Sequence, residues 1–305
     1  MRVAFAGSPA AALEPLQALV DSFHEVALVV TQPDRASGRA RRSRPTPVAV
    51  AAGELGLPVV RPASINAPEV VARMEESGAD ALCVVAFGQI LREAVLGRWP
   101  CLNVHFSLLP AYRGAAPVER ALMDGVRRTG VTIMQMDAGL DTGPIVSVEP
   151  VDVGPEENAG ELTARLSALG GPMLVEAVRA LEDGTLVTRE QPEEGVSLAP
   201  RITADDRALD LSRPAVELAD QVRALAPHIG ATCMIDGQAF KIWAARPLDR
   251  SAAPGLSVED GGRLVAGCGE GALELVELQP PGRTRMAAAT LLRGWRGALE
   301  RGPAA

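Results

Sequence analysis

The sequence predicts an α/β protein, an open sheet followed by a small β-barrel, and three observations carry that expectation. Apolar, β-branched runs alternate with helical patterns over the first ~190 residues, as in an open α/β sheet. One long amphipathic period, Glu161–Leu181, closes that stretch. Beyond residue 205 the alternation gives way to short strands broken by turns.

The elements follow in order. Met1–Ala6 is a short strand ending at Gly7-Ser8-Pro9, and Leu13, Leu16, Leu19 and Val20 then mark a helix. Val26–Val30 is continuously β-branched or apolar, as expected of a strand buried on both faces. Ala81–Phe87 and Cys101–Phe106 are two more strands, separated by a helical pattern around Ile90–Leu96. Val131–Met136 and Ile145–Val151 pair around a Gly-rich turn. In Glu161–Leu181 the residues Leu162, Leu166, Leu169, Met173, Leu174, Val178 and Leu181 recur at helical spacing. Sustained period is lost after Gly184, so the expected division is a Rossmann-like domain over 1–189, a linker over 190–205 and a second domain over 206–305. In the second domain Pro214–Leu225 reads as a helix. Thr232–Ile235, Ala239–Ala244, Arg263–Ala266 and Leu273–Leu278 read as strands, with Asp236-Gly237 as a hairpin turn. A five-stranded, OB-like barrel suits about 100 residues of this texture.

Composition excludes several classes. The chain of 305 residues carries 30 bases, 38 acids and a formal net charge of −8, which argues against a uniformly basic nucleic-acid binder. The distribution changes that reading. Residues 206–305 are neutral, with 12 bases and 12 acids, whereas residues 35–44 (RASGRARRSR) hold five Arg and no acid. Removing that island leaves the rest of 1–205 at −13. Four Cys without a C-x-x-C pair read as reduced thiols, neither a disulfide framework nor a zinc site. The N-terminus MRVAFAGSP lacks signal-peptide character, and no apolar stretch approaches the ~20 residues that span a bilayer. A soluble, cytoplasmic protein is expected, with no membrane contact. Gly7-Ser8-Pro9 is not followed by G-x-G-x-x-G, so a dinucleotide is not expected on this sheet.

The chemistry concentrates in Leu102-Asn103-Val104-His105-Phe106-Ser107-Leu108-Leu109-Pro110. Alternation along a strand sends Asn103, His105 and Ser107 one way and Leu102, Val104 and Phe106 the other. The polar row falls at the strand's C-terminal end, where open α/β sheets bind ligands. A half-solvated edge strand is the competing reading, but the expected strand order places this segment in mid-sheet. A second segment, Met136-Asp137-Ala138-Gly139-Leu140-Asp141-Thr142-Gly143-Pro144, can bring a carboxylate and backbone amides to a ligand, although Asp and Gly also suit a plain turn.

SLLP, then Arg113-Gly114-Ala115-Ala116-Pro117, then TGVTIMQMDAGLDTG together resemble the methionyl-tRNA formyltransferase family. MRVAFAGSP, TQPDR…GR at 31–39, VVAFGQIL at 84–91, LSRPAVEL at 211–218, KIWAA at 241–245 and LQPPGRTRM at 278–286 extend the resemblance along nearly the whole chain. It implies transfer of a formyl group from 10-formyltetrahydrofolate to the α-amino group of methionine on initiator tRNA. The family's catalytic Asn, His and Asp fall on Asn103, His105 and Asp141. Chemistry suits those roles: Asn103 and a protonated His105 can donate to the formyl oxygen as charge grows on it. Asp141 can face the imidazolium and take the amine's proton, directly or through water. Neither a metal nor a covalent enzyme intermediate is needed.

By the same resemblance the folate would lie against Ser107, Leu108, Leu109 and Pro110, in a cleft lined by Phe87, Gly88, Ile90, Leu91 and Asp137. Arg35, Arg39, Arg41, Arg42 and Arg44 would hold tRNA phosphates, extended by Lys241, Arg246, Arg283 and Arg285. A monomer is expected. The chain departs from the family at Pro227-His228-Ile229-Gly230-Ala231, where Pro-Trp-Pro-Gly-Ala is common, and at Arg201, where Lys is more usual. The alternatives are a sugar-amine N-formyltransferase, a 10-formyltetrahydrofolate hydrolase, or a non-catalytic tRNA-binding protein. The arginine island and the C-terminal match argue against the first two, and the intact trio against the third.

Overall fold

The computed structural model describes residues 1–37, 42–259, 262–294 and 300–301. It contains two compact units: Met1–Pro117 with Arg128–Asp152 and Thr163–Pro200, and Val118–Arg127 with Val153–Leu162 and Arg201–Ala305.

In the first unit the chain runs β1 (Arg2–Gly7), α1 (Leu13–Val20), β2 (Glu25–Val30), β3 (Arg35–Ser37), β4 (Arg42–Arg44), α2 (Pro47–Glu54), β5 (Val59–Val60), α3 (Pro68–Glu76), β6 (Ala81–Val85), α4 (Glu93–Leu96), β7 (Cys101–His105) and β8 (Arg113–Gly114). α5 (Pro117–Met123) belongs, from Val118, to the second unit, and the first resumes with β9 (Arg128–Gln135), β10 (Ile145–Asp152), the long α6 (Ala159–Glu182) from Thr163 onward, and β11 (Leu198–Ala199). Among the described residues seven strands form one sheet in the order β10-β9-β7-β6-β1-β2-β5. The strands from β5 to β7 are parallel, and β9 runs antiparallel to both β7 and β10. β7 therefore lies in mid-sheet, with all five residues buried.

The sheet follows its sequence. β1, β2 and β6 are almost wholly apolar and buried, as strands covered on both faces must be. α6 comes close behind β7 because Gly170 has no side chain. A Cβ there would stand 2.6 Å from Val104 Cγ1. Two expected boundaries move. The strand from Ala81 stops at Val85, since Ala86 takes φ 46°, the left-handed region. The helix expected near Ile90–Leu96 shrinks to Glu93–Leu96, because Asn66 captures the backbone before it: its Nδ2 donates to Ile90 O at 2.8 Å and its Oδ1 accepts from Arg92 N–H at 2.8 Å. Thr46 caps α2, accepting from Ala49 N–H at 3.1 Å ahead of Pro47.

The second unit holds α7 (Ala215–Leu225), β12 (Ala231–Ile235), β13 (Gln238–Leu248), β14 (Gly255–Glu259), β15 (Arg263–Gly267), β16 (Ala272–Gln279), β17 (Met286–Ala287), α8 (Ala288–Gly294) and β18 (Glu300–Arg301). Five antiparallel strands run β12-β13-β16-β15-β14, with β17 added to β16 and β18 to β14. This is the OB-like, curled antiparallel sheet that the sequence predicts. Asp236 and Gly237, at φ 47° and 71°, make the β12–β13 turn. Leu218, Val222 and Leu225 of α7 join Ile235, Phe240, Ile242, Leu264, Leu273 and Leu275 in the core.

An ion pair braces this unit. Arg120 reaches Asp206 with two parallel hydrogen bonds of 2.6 and 2.8 Å, while Thr203 N–H and Oγ1 donate to the same carboxylate at 2.7 and 2.8 Å. The Arg120 hydrogen bonds above all hold the Asp206 carboxyl far below its ordinary range. A carboxyl depressed in the folded state stabilises it above the unfolded value, and that stabilisation fades as pH falls. Asp206→Asn should therefore cost about 1 kcal/mol near pH 7, partial exposure limiting the figure. The gap to the unsubstituted chain should narrow below about pH 4. Urea unfolding at both pH values checks this; an equal gap at each would contradict it.

Burial pushes the thiols upward, Cys101 to about 12 and Cys233 to about 11, which leaves little thiolate at neutral pH. Among the described residues no group of three or more His, Cys, Asp or Glu could hold a metal ion, and no helix is long and apolar enough to cross a membrane.

Candidate active site

β7 delivers Asn103 and His105 to the C-terminal end of the parallel strands, 7% and 5% exposed respectively. Cross-strand neighbours fix their register: Asn103 lies between Val84 and Met134, and His105 opposite Thr132. Thr132 secures the turn beyond, donating to Ser107 O at 2.7 Å and accepting from Leu109 N–H at 3.1 Å. The Asn103 amide makes no side-chain hydrogen bond among the described residues. Its polar atoms are not among the fully buried ones that lack a partner, so they keep an open side on which a ligand or water can bind them.

The two nitrogens of His105 differ. Nε2 lies 2.9 Å from the Tyr112 carbonyl oxygen, which can only accept, so Nε2 carries a proton. Nδ1 faces Asp141 Oδ2 at 3.7 Å, too long for a hydrogen bond. Nδ1 is thus the nitrogen available to a ligand, and it donates when the ring is an imidazolium with Asp141 as counter-charge.

Asp141 sits in a turn held from several sides. Its backbone takes φ 51°. Its Oδ2 accepts from Gly114 N–H at 2.8 Å; Oδ1 accepts no hydrogen bond among the described residues. Gln191 Nε2 donates to the carbonyl oxygens of both Asp141 and Gly143 at 2.8 Å, and Gln191 Oε1 accepts from Arg113 Nε and Nη2 at 3.0 and 2.6 Å. Gly143 is required here, since a Cβ would fall 1.9 Å from Gln135 O. Gly114 (φ 130°) is confined likewise, with Ala199 O 2.6 Å from where a Cβ would be. Ser197 joins in: its Oγ accepts from Tyr112 N–H at 2.8 Å, its carbonyl from Arg113 N–H at 2.9 Å.

The stretch expected as linker over 190–205 is therefore fastened to the first unit through residue 200, with β11 pairing β8 and Arg189 bridged to Ile145 just before it. Sequence reasoning missed Gly114, Gln191 and Ser197. Gly114 stands within the Arg113-Gly114-Ala115-Ala116-Pro117 motif, which marks the segment without giving that residue a role; Gln191 and Ser197 stand in a stretch without periodicity.

The expected folate-facing residues divide. Phe87, Leu91 and Leu109 point into the apolar core at 2, 4 and 6% exposure, and Ser107 spends its hydroxyl on Ala111 O at 2.6 Å. Pro110 is buried as well. These side chains are therefore turned away from a ligand, which can meet only such backbone groups of the segment as are not already paired, Ser107 O and Leu109 N–H being held by Thr132. Ile90 is 76% exposed, Leu108 is half-buried, and Gly88 (φ 76°) packs on Gln32. Asp137 builds the turn, accepting from Gly139 N–H at 3.0 Å and Thr142 Oγ1 at 2.7 Å.

Of the five island arginines, Arg39 and Arg41 lie outside the described residues. Arg35, Arg42 and Arg44 fall on a short hairpin in which β3 pairs β4, Arg35 opposite Arg44 and Ser37 opposite Arg42. In the second unit Lys241 Nζ and Arg285 Cζ each stand 5.1 Å from the Trp243 ring centroid, a cation–π arrangement. Gln279 links Arg283 to the same ring, donating to Arg283 O at 2.8 Å and accepting from Trp243 Nε1 at 3.3 Å. Arg246 lies apart, 3.6 Å from Glu156.

Known proteins match this chain along nearly its whole length. The family profile described as "Formyl transferase" matches residues 1–178, and "Formyl transferase, C-terminal domain" matches residues 201–296. A methionyl-tRNA formyltransferase of Solibacter usitatus is 44% identical over 300 residues, covering 97% of this chain and 96% of its own. That of Cereibacter sphaeroides (strain ATCC 17025) is 44% identical over 304 residues, covering 99% and 98%. The crystal structure of an N-formyltransferase from Helicobacter canadensis, in complex with folinic acid and dTDP-3-aminofucose, shares the fold with TM-score 0.68 at 16% identity, over 91% of this chain and 98% of its own. The chain belongs to the methionyl-tRNA formyltransferase family.

Proposed function

We propose that this formyltransferase moves the formyl group of 10-formyltetrahydrofolate onto the α-amino group of methionine on initiator tRNA by direct amine attack. The observation that carries this reading is the Asn103 amide, without a side-chain hydrogen bond among the described residues, on the same strand face as His105, whose Nδ1 faces Asp141 Oδ2 at 3.7 Å. Asn103 and the His105 imidazolium donate to the formyl oxygen as the attacking nitrogen loads charge onto it. Asp141 Oδ1 accepts the proton that the amine loses, directly or through one water. The new C–N bond gives a tetrahedral adduct, which collapses as the bond to the folate N10 breaks, and N10 leaves with the proton that Asp141 took from the amine, passed on directly or through water. Folate is held chiefly by the backbone of 107–110 and 87–91, with Leu108 and Ile90 offering side chains. No metal enters.

In this reading residues 1–189 carry catalysis and 206–305 contact tRNA, while 190–205 both connects them and braces the site. One copy of the chain supplies the whole trio, so a monomer suffices, and the enzyme works in the cytoplasm. Parallel formyl-transfer assays with initiator Met-tRNA, elongator Met-tRNA and an amino-sugar nucleotide test the reading. Initiator Met-tRNA is the expected acceptor; preference for the sugar would overturn the assignment.

The arginine island supplies a further expected result. Replacing Arg39, Arg41 and Arg42 by Ala should raise KM for Met-tRNA and reduce the slope of its logarithm against log salt by about 0.7–0.9 for each phosphate no longer neutralised. Formylation kinetics measured across a salt series check this. Unchanged kinetics at every salt concentration would refute the role of the loop.

A further inference from the structure

We propose that Gln191 is a positioning residue that holds Asp141 in its working geometry by clamping the turn on both sides of it. The proposal rests on the reading of Asp141 as the group that takes the amine's proton.

Asp141 occupies the left-handed region at φ 51°, where a side chain is unfavourable. Such a conformation persists only when its surroundings over-determine it. Gln191 does so through one amide: both Nε2 hydrogens are engaged, to Asp141 O and Gly143 O, and both Oε1 lone pairs are taken by Arg113. The amide cannot rotate without breaking bonds at both ends. Arg113 is also tied to the carboxylate, since its neighbour Gly114 donates N–H to Asp141 Oδ2. The main chain and the side chain of Asp141 are thus referenced to one short segment, 112–114, which also presents the Tyr112 carbonyl to His105. Gln191 sets the spacing between imidazole and carboxylate without touching substrate.

This role is separable from general support. The segment around Gln191 has other anchors: Arg189 exchanges backbone hydrogen bonds of 2.7 and 2.9 Å with Ile145, Ser197 binds Tyr112 and Arg113, and β11 pairs β8. Loss of the Gln191 amide leaves those in place and frees the turn 141–143 together with the Arg113 guanidinium, for which Gln191→Glu keeps an acceptor. A misplacement of ~1 Å in a catalytic group costs about a hundredfold in rate.

The test is a cycle of Gln191→Leu, Asp141→Asn and the double variant, with Gln191→Glu as a companion. The readouts are kcat, KM for each substrate and the urea midpoint. Gln191→Leu should lower kcat about a hundredfold while both KM values move less than about threefold, with the midpoint near that of the unsubstituted chain. In the Asp141→Asn background the same change should lower kcat less than about threefold, because the group it positions is already gone. Gln191→Glu keeps an acceptor for Arg113 but cannot donate to the two carbonyls, so it should match Gln191→Leu. A silent Gln191→Leu beside a crippled Asp141→Asn, fully multiplicative losses in the double variant, or normal kcat in Gln191→Glu would each overturn the proposal alone. Near-normal turnover of Asp141→Asn by itself would overturn the underlying reading, whatever Gln191→Leu does.

Discussion

Asp141→Asn should lower formyl transfer by about 10²–10⁴-fold, the usual scale for removing a general base, while folate binding stays close to normal. Asparagine keeps an oxygen for the Gly114 N–H and fills the same space, so the turn retains its shape. It cannot accept the amine's proton, nor serve as counter-charge to the imidazolium 3.7 Å away. Turnover under saturating substrates, with calorimetric binding of a non-transferring formyl folate, checks both halves. Near-normal turnover would remove Asp141 from the chemistry; lost folate binding would make it a structural residue instead.

Asn103→Ala should reduce kcat by about 10²–10³-fold, the effect of deleting one oxyanion donor. KM should change little, because the hydrogen bond strengthens only as charge develops on the formyl oxygen. Stability should not suffer much, since the amide has no side-chain partner to lose among the described residues. The position is already flanked by Val84 and Met134 in a packed sheet, which the smaller residue leaves undisturbed. Steady-state kinetics together with thermal unfolding decide the matter. A large loss of stability with unchanged kcat would mean that the amide serves the fold.

Much of this architecture is legible in the sequence because it is periodic. Continuous apolar runs announce β1, β2 and β6, the heptad-like leucines announce α6, and Asp236-Gly237 announces its hairpin. The alternation in Leu102–Phe106 separates Val104, which packs behind the sheet against α6, from Asn103 and His105. What periodicity does not encode stays hidden. β8 and β11 are two residues each and exist only as a long-range pair. The hairpin of β3 and β4 lies in a segment whose arginines signal charge rather than strand. Gln191 is one polar residue in an aperiodic stretch, and its importance arises from two carbonyls brought to it by folding. Phe87, Leu91 and Leu109 show the converse limit: proximity to a site in sequence says nothing about which way a side chain turns.

The charge pattern belongs to the same account. A body at −13 over the rest of residues 1–205 repels stray polyanions, and the five arginines of 35–44 offer one local attraction. Net charge alone would have excluded the tRNA that the local distribution favours.

The central claim is that formyl passes directly from folate to the amine of Met-tRNA, with no covalent enzyme intermediate. Rapid-quench analysis with formyl-labelled 10-formyltetrahydrofolate tests it most directly. The account predicts that label moves to Met-tRNA only when Met-tRNA is present, with no label on the protein at any time. Labelled protein before transfer, or release of labelled formate at the same rate without Met-tRNA, would contradict it.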